Sequence, residues 1–154
     1  MKPRYDMIQC YVVRRAYDGG HEFMQLRRAP GDFMGGTWQT IYGRIEGGET
    51  AWQAALRELH EEAGLKPLEF FQIDSVNTFY LAHDDCIWHV PGFCAIVASD
   101  AEVELNEEHD AFRWLARDPY TKLPMWPGER RAVAEICQEI LDGGPNRPFL
   151  KIDL

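Results

Sequence analysis

At 154 residues, 45% of them hydrophobic and 27% charged, the chain is long enough for one domain with its own core, and no apolar run approaches the roughly 20 residues of a membrane span. The formal net charge of −9 argues against a nucleic-acid duplex or an anionic membrane as the main partner. Four scattered cysteines without a C-x-x-C pair predict neither a disulfide framework nor a zinc site, and the N-terminus lacks an apolar leader, so we expect a cytoplasmic protein.

The chain alternates strand-like segments with two helices. Residues that favour β-structure, bounded by turn signals, predict strands over residues 7–14, 22–27, 37–42, 68–80, 87–98 and 112–115. Helices are predicted over residues 51–62 and 127–141. Strands before, between and after two helices favour an α/β fold, in which one mixed sheet carries helices on both faces. We expect residues 1–154 to form a single domain of this kind.

The helix over residues 51–62 has the clearest boundaries. Thr50 can cap its first turn, Gln53 completes a T-x-x-Q capping box, and Gly64 suits the left-handed position that follows a last turn. The apolar residues form one stripe that can pack on the sheet, consisting of Trp52, Leu56, Leu59 and Ala63. The small residues lie near the acidic face, where we expect them to leave room for a loop, ions and a substrate; they are Ala51, Ala54 and Ala55.

Three glutamates of this helix share one face. At about 100° per residue, Glu61 and Glu62 fall on either side of Glu58. Like charges so close repel one another, and a hard divalent cation such as Mg²⁺ relieves that repulsion because it prefers carboxylate oxygens. The pattern therefore indicates a metal site, through which an acidic protein can bind an anionic phosphate, with a solvated acidic face as the alternative.

Residues 43–65 contain a longer motif with nine specified positions at fixed spacing. Its members are Gly43, Glu49, Arg57, Glu58, Leu59, Glu61, Glu62, Gly64 and Leu65. The motif resembles the Nudix box without a mismatch, which is a specific signal. The resemblance implies a Nudix-type α/β/α sandwich around a mixed sheet, with the box as a loop-helix-loop, and hydrolysis of a nucleoside diphosphate linked to another moiety.

The resemblance also implies roles for individual residues. Metal ligands would be Glu58, Glu61 and Glu62, with Mg²⁺ as the expected ion and Mn²⁺ as a substitute. Arg57 and Glu61 would have catalytic roles, while Glu49 and Gly43 would support the site. Which carboxylate serves as the general base stays open, because family members differ.

A second segment, residues 106–114, resembles the Glu-His-x-x-x-x-Trp stretch of several Nudix branches. The match assigns a catalytic and metal-binding carboxylate to Glu108, with the neighbouring Glu107 or an ordinary acidic turn as alternatives. It places His109 beside that carboxylate. Trp114 is better explained as a core residue than as a ligand.

Candidate substrate contacts lie outside both segments. Arg27 is favoured over Arg28 as a phosphate ligand from the strand alternation, because a guanidinium binds phosphate bidentately; a solvated arginine pair is the alternative. Trp38 and Tyr80 could stack on a base or a pterin ring, although aromatic residues are common in sheets for packing alone.

Two cues concern the substrate, and they disagree. Trp38 and Gln39 resemble the Trp-Gln pair of the dihydroneopterin triphosphate branch, whereas Tyr80 lies where dinucleoside polyphosphate hydrolases carry a distinguishing tyrosine. We expect a pyrophosphohydrolase that converts a nucleoside triphosphate, or a relative such as dihydroneopterin triphosphate, to the monophosphate and pyrophosphate. Dinucleoside polyphosphate and ADP-ribose hydrolysis are the alternatives within the enzyme class.

A rival from another class is a catalytically inactive Nudix-fold ligand sensor. Such proteins typically lose glutamates of the box, and this chain retains Glu49, Glu58, Glu61 and Glu62. An enzyme is therefore favoured. Its expected partner is a small nucleotide-type molecule, with no nucleic acid and no membrane, and the resemblance is compatible with a homodimer.

Overall fold

A computed structural model describes residues 1–154, which form eleven strands and a few helices. The strands are Lys2–Arg4 (β1), Met7–Arg15 (β2), His21–Arg28 (β3), Trp38–Gln39 (β4), Ile41–Arg44 (β5), Glu69–Gln72 (β6), Asn77–Leu81 (β7), Cys86–Val90 (β8), Gly92–Val97 (β9), His109–Ala116 (β10) and Lys151–Ile152 (β11). The helices are Ala51–Ala63 (α1), Arg117–Thr121 (α2), Pro127–Glu135 (α3) and Arg147–Leu150 (α4), and α3 continues into a π-helical stretch, Ile136–Leu141, named here the π segment.

The central sheet is mixed, as predicted. Its order is β10-β3-β2-β9-β6-β11, with β4 added beside β3 and β5 beside β2. Only the β2–β9 pair in this sheet is parallel, and the other pairs are antiparallel. A smaller sheet of three strands has the order β1-β8-β7. The last strand, β11, pairs with β6 and forms one edge of the central sheet.

Alternation along β2 produces two cores, because successive side chains of a strand point to opposite faces. Ile8, Cys10 and Val12 contribute to the core under α1, whereas Tyr11 and Val13 contribute to the core under α3 and the π segment. The sheet is therefore covered by helices on both faces, and the expected α/β/α sandwich is confirmed.

Local sequence signals account for both ends of α1. The Thr50 hydroxyl accepts a hydrogen bond from the backbone N–H of Gln53, whose side chain in turn accepts one from the Thr50 backbone, as the predicted capping box requires. Gly64 ends the helix with a φ of 68°, a left-handed conformation that glycine adopts without the penalty of a Cβ.

The role expected for the small residues of α1 is wrong for two of them. Ala54 and Ala55 are fully buried and belong to the core under α1, together with Leu59 and Ala63. Small side chains at these positions bring the helix close to the sheet and do not leave space for a substrate. The buried face of α1 is therefore broader than the predicted apolar stripe.

Two strands predicted as continuous are each broken in two. The segment 68–80 divides into β6 and β7, and the segment 87–98 divides at Pro91 into β8 and β9. Proline has no N–H to donate to a strand ladder, which explains the second break. Around the first break, Glu135 of α3 accepts hydrogen bonds from the backbone N–H groups of Asp74 and Ser75. These breaks direct β7 and β8 into the smaller sheet.

The second predicted helix, 127–141, begins at Pro127 as expected but changes geometry halfway. Its last six residues form the π segment, and the N–H of Asp142 donates to the carbonyl of Cys137, five residues earlier, at 2.9 Å. All four cysteines are buried and free. None of the helices combines the length and apolar character that crossing a bilayer demands.

Candidate active site

Arg57 of α1 lies at the centre of a group of acidic side chains that forms one part of the candidate site. Its Nε lies 2.6 Å from Oε1 of Glu49, and its Nη1 lies 3.0 Å from Glu58 and 3.1 Å from Glu61. Its Nη2 donates to the backbone carbonyl of Arg44 at 2.8 Å, which attaches the helix to the end of β5. One guanidinium thus holds three glutamates of the motif in a fixed arrangement.

The charges in this group shift the pKa values of its members. The hydrogen bond to Glu49 is the largest cause of the raised pKa of Arg57, and the same contact lowers the pKa of Glu49. Burial raises the pKa of Glu58, whose side chain is only 13% exposed, although the Arg57 guanidinium opposes that shift. Glu61 is more open, with 52% of its side chain exposed.

Gly43 of β5 lies directly against the side chain of Glu58. A Cβ added to Gly43 would lie 2.6 Å from Oε1 of Glu58 and closer still to its Cγ and Cδ atoms. No side chain larger than hydrogen fits there without moving Glu58. The glycine of the motif is thereby explained by steric contact with a candidate metal ligand.

We expect Gly43→Ala to lower turnover by about 100-fold, because even a 1 Å displacement of a positioned group can have that effect. The fold should survive, since Glu58 can rotate away from the added methyl group. Steady-state kinetics with saturating Mg²⁺ would measure the change. Gly47→Ala is the matched control in the loop that follows β5, because a Cβ there meets nothing within 4 Å. Equal activity of the two variants would contradict this explanation of Gly43.

A second cluster joins α1 to the start of β10. Ligand atoms of Glu62, Glu108 and His109 all lie within 4.8 Å of one another. Glu108 is held by its own backbone, since its N–H donates to Asn106 Oδ1 at 3.1 Å and its carbonyl accepts from the N–H of Ala29 at 3.0 Å. The structure therefore brings Glu108 close to Glu62 of α1.

Glu62 is the most unusual member of this cluster. It is 4% exposed, and its Oε2 is buried without a hydrogen-bond partner. Burial, together with the adjacent Glu108, raises the pKa of Glu62 to about 10, and the positive charge of Arg28 only partly opposes this. A buried carboxyl oxygen without a partner, next to a second carboxylate, fits a hard divalent cation, which prefers such oxygens. The acidic cluster can therefore hold a metal ion.

His109 was not assigned a role from the sequence, yet it belongs to this cluster. The residue is 3% exposed, its Nδ1 has no partner, and its Nε2 lies 3.3 Å from Nε2 of Gln39. Burial lowers the pKa of His109, so the ring is neutral near pH 7 and has a lone pair available. The Glu-His pair in the sequence was the available signal.

The structure separates the two neighbouring arginines of β3. Arg28 follows Met24 and Leu26 on the face of α1, with its Nε buried and unpaired. Arg27 points to the opposite face, where it forms an ion pair with Asp110 at 2.7 Å. Strand alternation was used to favour Arg27, but the structure places Arg28, and not Arg27, beside the carboxylates. Arg28 was missed because the sequence does not reveal which face α1 covers.

The two aromatic candidates lie in different environments. The guanidinium of Arg113 is 4.2 Å from the ring centroid of Trp38, and that of Arg27 is 5.7 Å away. Tyr80 lies on β7 in the smaller sheet, 54% exposed, and its hydroxyl donates to Asp85. Neither ring is part of the carboxylate clusters. Trp114 packs against the core under α1, which agrees with its predicted packing role.

The glutamates of α1 are held by Arg57, and Gly43 leaves space for the side chain of Glu58. A family model also matches most of the chain. Residues 10–136 match the model of the NUDIX domain. The chain belongs to the Nudix family. Its Nudix domain is that of a hydrolase acting on pyrophosphate bonds, and Nudix hydrolases generally use a divalent metal.

Relatives of this Nudix domain include enzymes with different substrates. The asymmetrical bis(5′-nucleosyl)-tetraphosphatase of Sus scrofa is 30% identical over 119 residues, covering 74% of this chain and 77% of that protein. The dihydroneopterin triphosphate diphosphatase of Escherichia coli K12 is 29% identical over 141 residues, covering 84% and 91%. A crystal structure of a C. elegans Ap4A hydrolase has a TM-score of 0.71 at 21% identity, covering 93% and 99%. That structure confirms the Nudix fold.

A further match concerns a longer protein. The octanoyltransferase of Myxococcus xanthus is 42% identical over 92 residues, which is 58% of this chain but only 25% of that protein. The match is confined to a quarter of that protein, so the octanoyltransferase reaction is not carried over to this chain.

Proposed function

We propose that this Nudix domain is a Mg²⁺-dependent pyrophosphohydrolase of a nucleoside triphosphate, or of a related compound of the dihydroneopterin triphosphate type. The products would be the monophosphate and pyrophosphate. The observation that carries the reaction class is the contact of buried Glu62 with Glu108, on the helix whose Glu58 and Glu61 are held by Arg57. The substrate class is supported by the dihydroneopterin triphosphate diphosphatase of E. coli, whose match extends over 91% of its length.

The acidic cluster would hold the metal through Glu58, Glu61, Glu62 and Glu108, and Mn²⁺ would substitute for Mg²⁺. When bound, such an ion neutralises charge on the diphosphate bridge and makes an associated water molecule more acidic. The donor set consists mainly of carboxylates, which suit both of these hard cations.

The remaining residues would orient the reacting groups. Arg57 fixes the rotamers of Glu58 and Glu61 through its two contacts of 3.0 and 3.1 Å, so that the carboxylates keep their directions before substrate arrives. Glu61, which is more exposed than Glu58, would be the candidate to accept a proton from an attacking water. Arg28 offers a charge toward the same cluster from β3, while Arg27 and Trp38 occupy the opposite face of the sheet.

A second candidate is hydrolysis of dinucleoside polyphosphates. It is favoured by the tetraphosphatase of Sus scrofa, which is 30% identical to this chain, and by the position of Tyr80 in the sequence. The half-exposed ring of Tyr80 could stack on a second base only if the substrate extends to the smaller sheet. ADP-ribose hydrolysis is a third alternative, without an observation that favours it over the first two.

A substrate panel tests the proposal. Purified protein with Mg²⁺ would be offered a deoxynucleoside triphosphate, dihydroneopterin triphosphate, ADP-ribose and diadenosine tetraphosphate, and the products would be separated by chromatography. Pyrophosphate with a monophosphate from the first two compounds is the expected result. Two nucleotides from diadenosine tetraphosphate, with no pyrophosphate from any triphosphate, would support the second candidate instead.

Glu108→Gln is expected to slow turnover by about 100-fold or more, because charge stabilisation at a developing phosphate charge is worth several kcal/mol. Glu107→Gln is the matched control, since Glu107 is the neighbouring exposed residue and lies outside the cluster around Glu62. Measuring kcat over a series of Mg²⁺ concentrations separates weaker metal binding from slower chemistry. Equal, small effects of both substitutions would remove this loop from the reaction.

Three broader expectations remain proposals. Residues 1–154 would form a single Nudix domain, which is supported by the pairing of the C-terminal β11 with β6 of the central sheet. The protein would be cytoplasmic, which is supported by four free cysteines. A homodimer is one candidate assembly, and light scattering of the purified protein would test it.

A further inference from the structure

A cavity lies at the end of the central sheet away from the carboxylates. It has a volume of about 390 Å³, and its walls come from the ends of β2 and β9, the start of β3 and the end of the π segment. His21, which lines this cavity, is the first residue of β3, and Arg28, which lies near Glu62, is the last residue of the same strand. Eight residues of strand place the two sites about 23 Å apart, at a rise of about 3.3 Å per residue. The cavity is therefore separate from the active site.

The interior of the cavity is half apolar. Leu68, Ile96, Ile140 and Leu141 are among its lining side chains. A volume of this size falls within the range typical of small-molecule sites, which is about 300–1,000 Å³. The cavity can accept an apolar group of a few carbon atoms or a small ring system.

The polar part of the lining carries net positive charge in a protein whose overall charge is −9. Arg147 is paired with Glu69 at 3.2 Å, and Lys151 contributes a second cation to the same carboxylate at 3.3 Å. The guanidinium of Arg15 is exposed and forms no ion pair or hydrogen bond, although the Arg15 backbone carbonyl accepts one from the Ser99 hydroxyl and the adjacent Arg14 is paired with Glu22. An unpaired guanidinium at the mouth of an apolar cavity favours a ligand with one anionic group.

The π segment provides an independent reason to regard this cavity as a built feature. It ends at Leu141 in the cavity wall, and Nε of Arg147 donates to the carbonyl of Ile140 at 3.0 Å. Stretches of π-helix are rare and occur frequently at functional sites, because they displace side chains from the positions that an α-helix would give. Here the last two residues of the π segment, Ile140 and Leu141, line the cavity.

We propose that this cavity binds a small organic anion with an apolar body, whose carboxylate or sulfonate pairs with Arg15 while the body contacts Leu68, Ile96 and Leu141. The ligand is distinct from the pyrophosphate substrate, because the cavity contains no cluster of carboxylates for a metal and only one unpaired cation.

The proposal is tested with 1-naphthoate as the probe, followed by chemical-shift changes in ¹⁵N–¹H spectra of the whole chain without Mg²⁺. Saturable shifts are expected around Arg15, Ser99 and Leu141, with none around Glu62. Arg15→Gln should weaken binding by about tenfold, because a hydrogen bond to a charged group is lost. Arg131→Gln is the matched control, since it removes the same charge from an exposed position of α3.

Neutral 1-naphthalenemethanol separates the roles of charge and apolar contact, and should bind about tenfold more weakly than 1-naphthoate. The proposal is overturned if the two compounds bind equally, if inorganic phosphate alone produces the same shifts, or if Arg15→Gln binds like the wild type. Absence of saturable shifts at millimolar 1-naphthoate would overturn it as well. Hydrolase activity does not enter the test, so failure here leaves the proposed function intact.

Discussion

Replacing Glu62 by glutamine is expected to lower turnover by about a thousandfold, since metal assistance is worth several kcal/mol and about 1.4 kcal/mol corresponds to a factor of ten. The same change should make the metal-free protein more stable at neutral pH. Glu62 is buried and its Oε2 has no partner, so its ionised form is unfavourable in the folded state. Glutamine retains the shape and carries no charge.

The stability effect has a defined dependence on pH. The pKa of Glu62 rises from its ordinary value of 4.5 to about 10 on folding. Between these values the folded chain keeps a proton that the unfolded chain has lost, so this group makes the wild type less stable as the pH rises, by at most about 1.4 kcal/mol per pH unit. The stability advantage of Glu62→Gln should therefore widen with pH.

Urea unfolding in the presence of EDTA at pH 6, 7 and 8 measures that advantage. Glu107→Gln serves as the control, because Glu107 is exposed and the difference from wild type should stay flat. A pH-independent difference for Glu62→Gln would contradict the buried, protonated state of Glu62. Wild-type turnover of the variant would remove this residue from the site.

Glu61→Gln should show the opposite combination, with a comparable loss of turnover and almost no change in stability. Its side chain is 52% exposed, and its one ion pair is the contact with Arg57 at 3.1 Å, four residues away on α1. Exposed pairs of this kind contribute about 0.3–0.5 kcal/mol. Thermal unfolding should therefore change little, while kcat falls by about a thousandfold if Glu61 touches the attacking water or the metal.

His60→Gln is the appropriate comparison, since it alters the exposed neighbour on the same helical turn. We expect that variant to keep its turnover. Retained activity of Glu61→Gln with a normal Mg²⁺ requirement would exclude Glu61 from the chemistry, and a large loss of stability would show that its contact with Arg57 is structural.

The parts of the site that were predictable from the sequence are those set by local spacing. The cap at Thr50, the left-handed Gly64 and the shared face of the three glutamates all depend on residues within one helix. Helical geometry relates such residues directly, without knowledge of the rest of the fold. The motif also includes Gly43, and only the structure supplied the reason, which is its contact with Glu58.

The parts that were not predictable depend on which elements pack together. Arg27 and Arg28 are adjacent in sequence, and strand alternation states only that they face opposite ways. Choosing between them requires knowing that α1 covers the face of Met24 and Leu26. The same holds for His109, whose proximity to Glu62 arises from the pairing of β10 with β3.

A longer-range contact also explains one of the two strand breaks. The segment 68–80 was predicted as one strand, yet Glu135 from α3 accepts hydrogen bonds from the backbone at Asp74 and Ser75 and so stabilises the break there. The break in 87–98 has a local signal in the sequence, Pro91, which the strand prediction passed over. The π segment lies within a sequence pattern that predicts an ordinary α-helix and gives no sign of hydrogen bonds between residues five apart. Periodicity within one segment does not reveal a contact with another element, such as that of Glu135 with the backbone of Asp74 and Ser75.

The two faces of β3 impose a limit on how this protein can vary. Arg28 and Leu26 serve the helix side, and Arg27 serves the other side, so deleting a single residue within the strand would exchange the two sets of side chains. Such a deletion would carry apolar groups out of the interior and remove the cation next to Glu62 together. The exposed loop of residues 30–36 does not contribute side chains to both faces of the sheet. Insertions and deletions among descendants of this sequence should therefore accumulate in that loop and spare the strand.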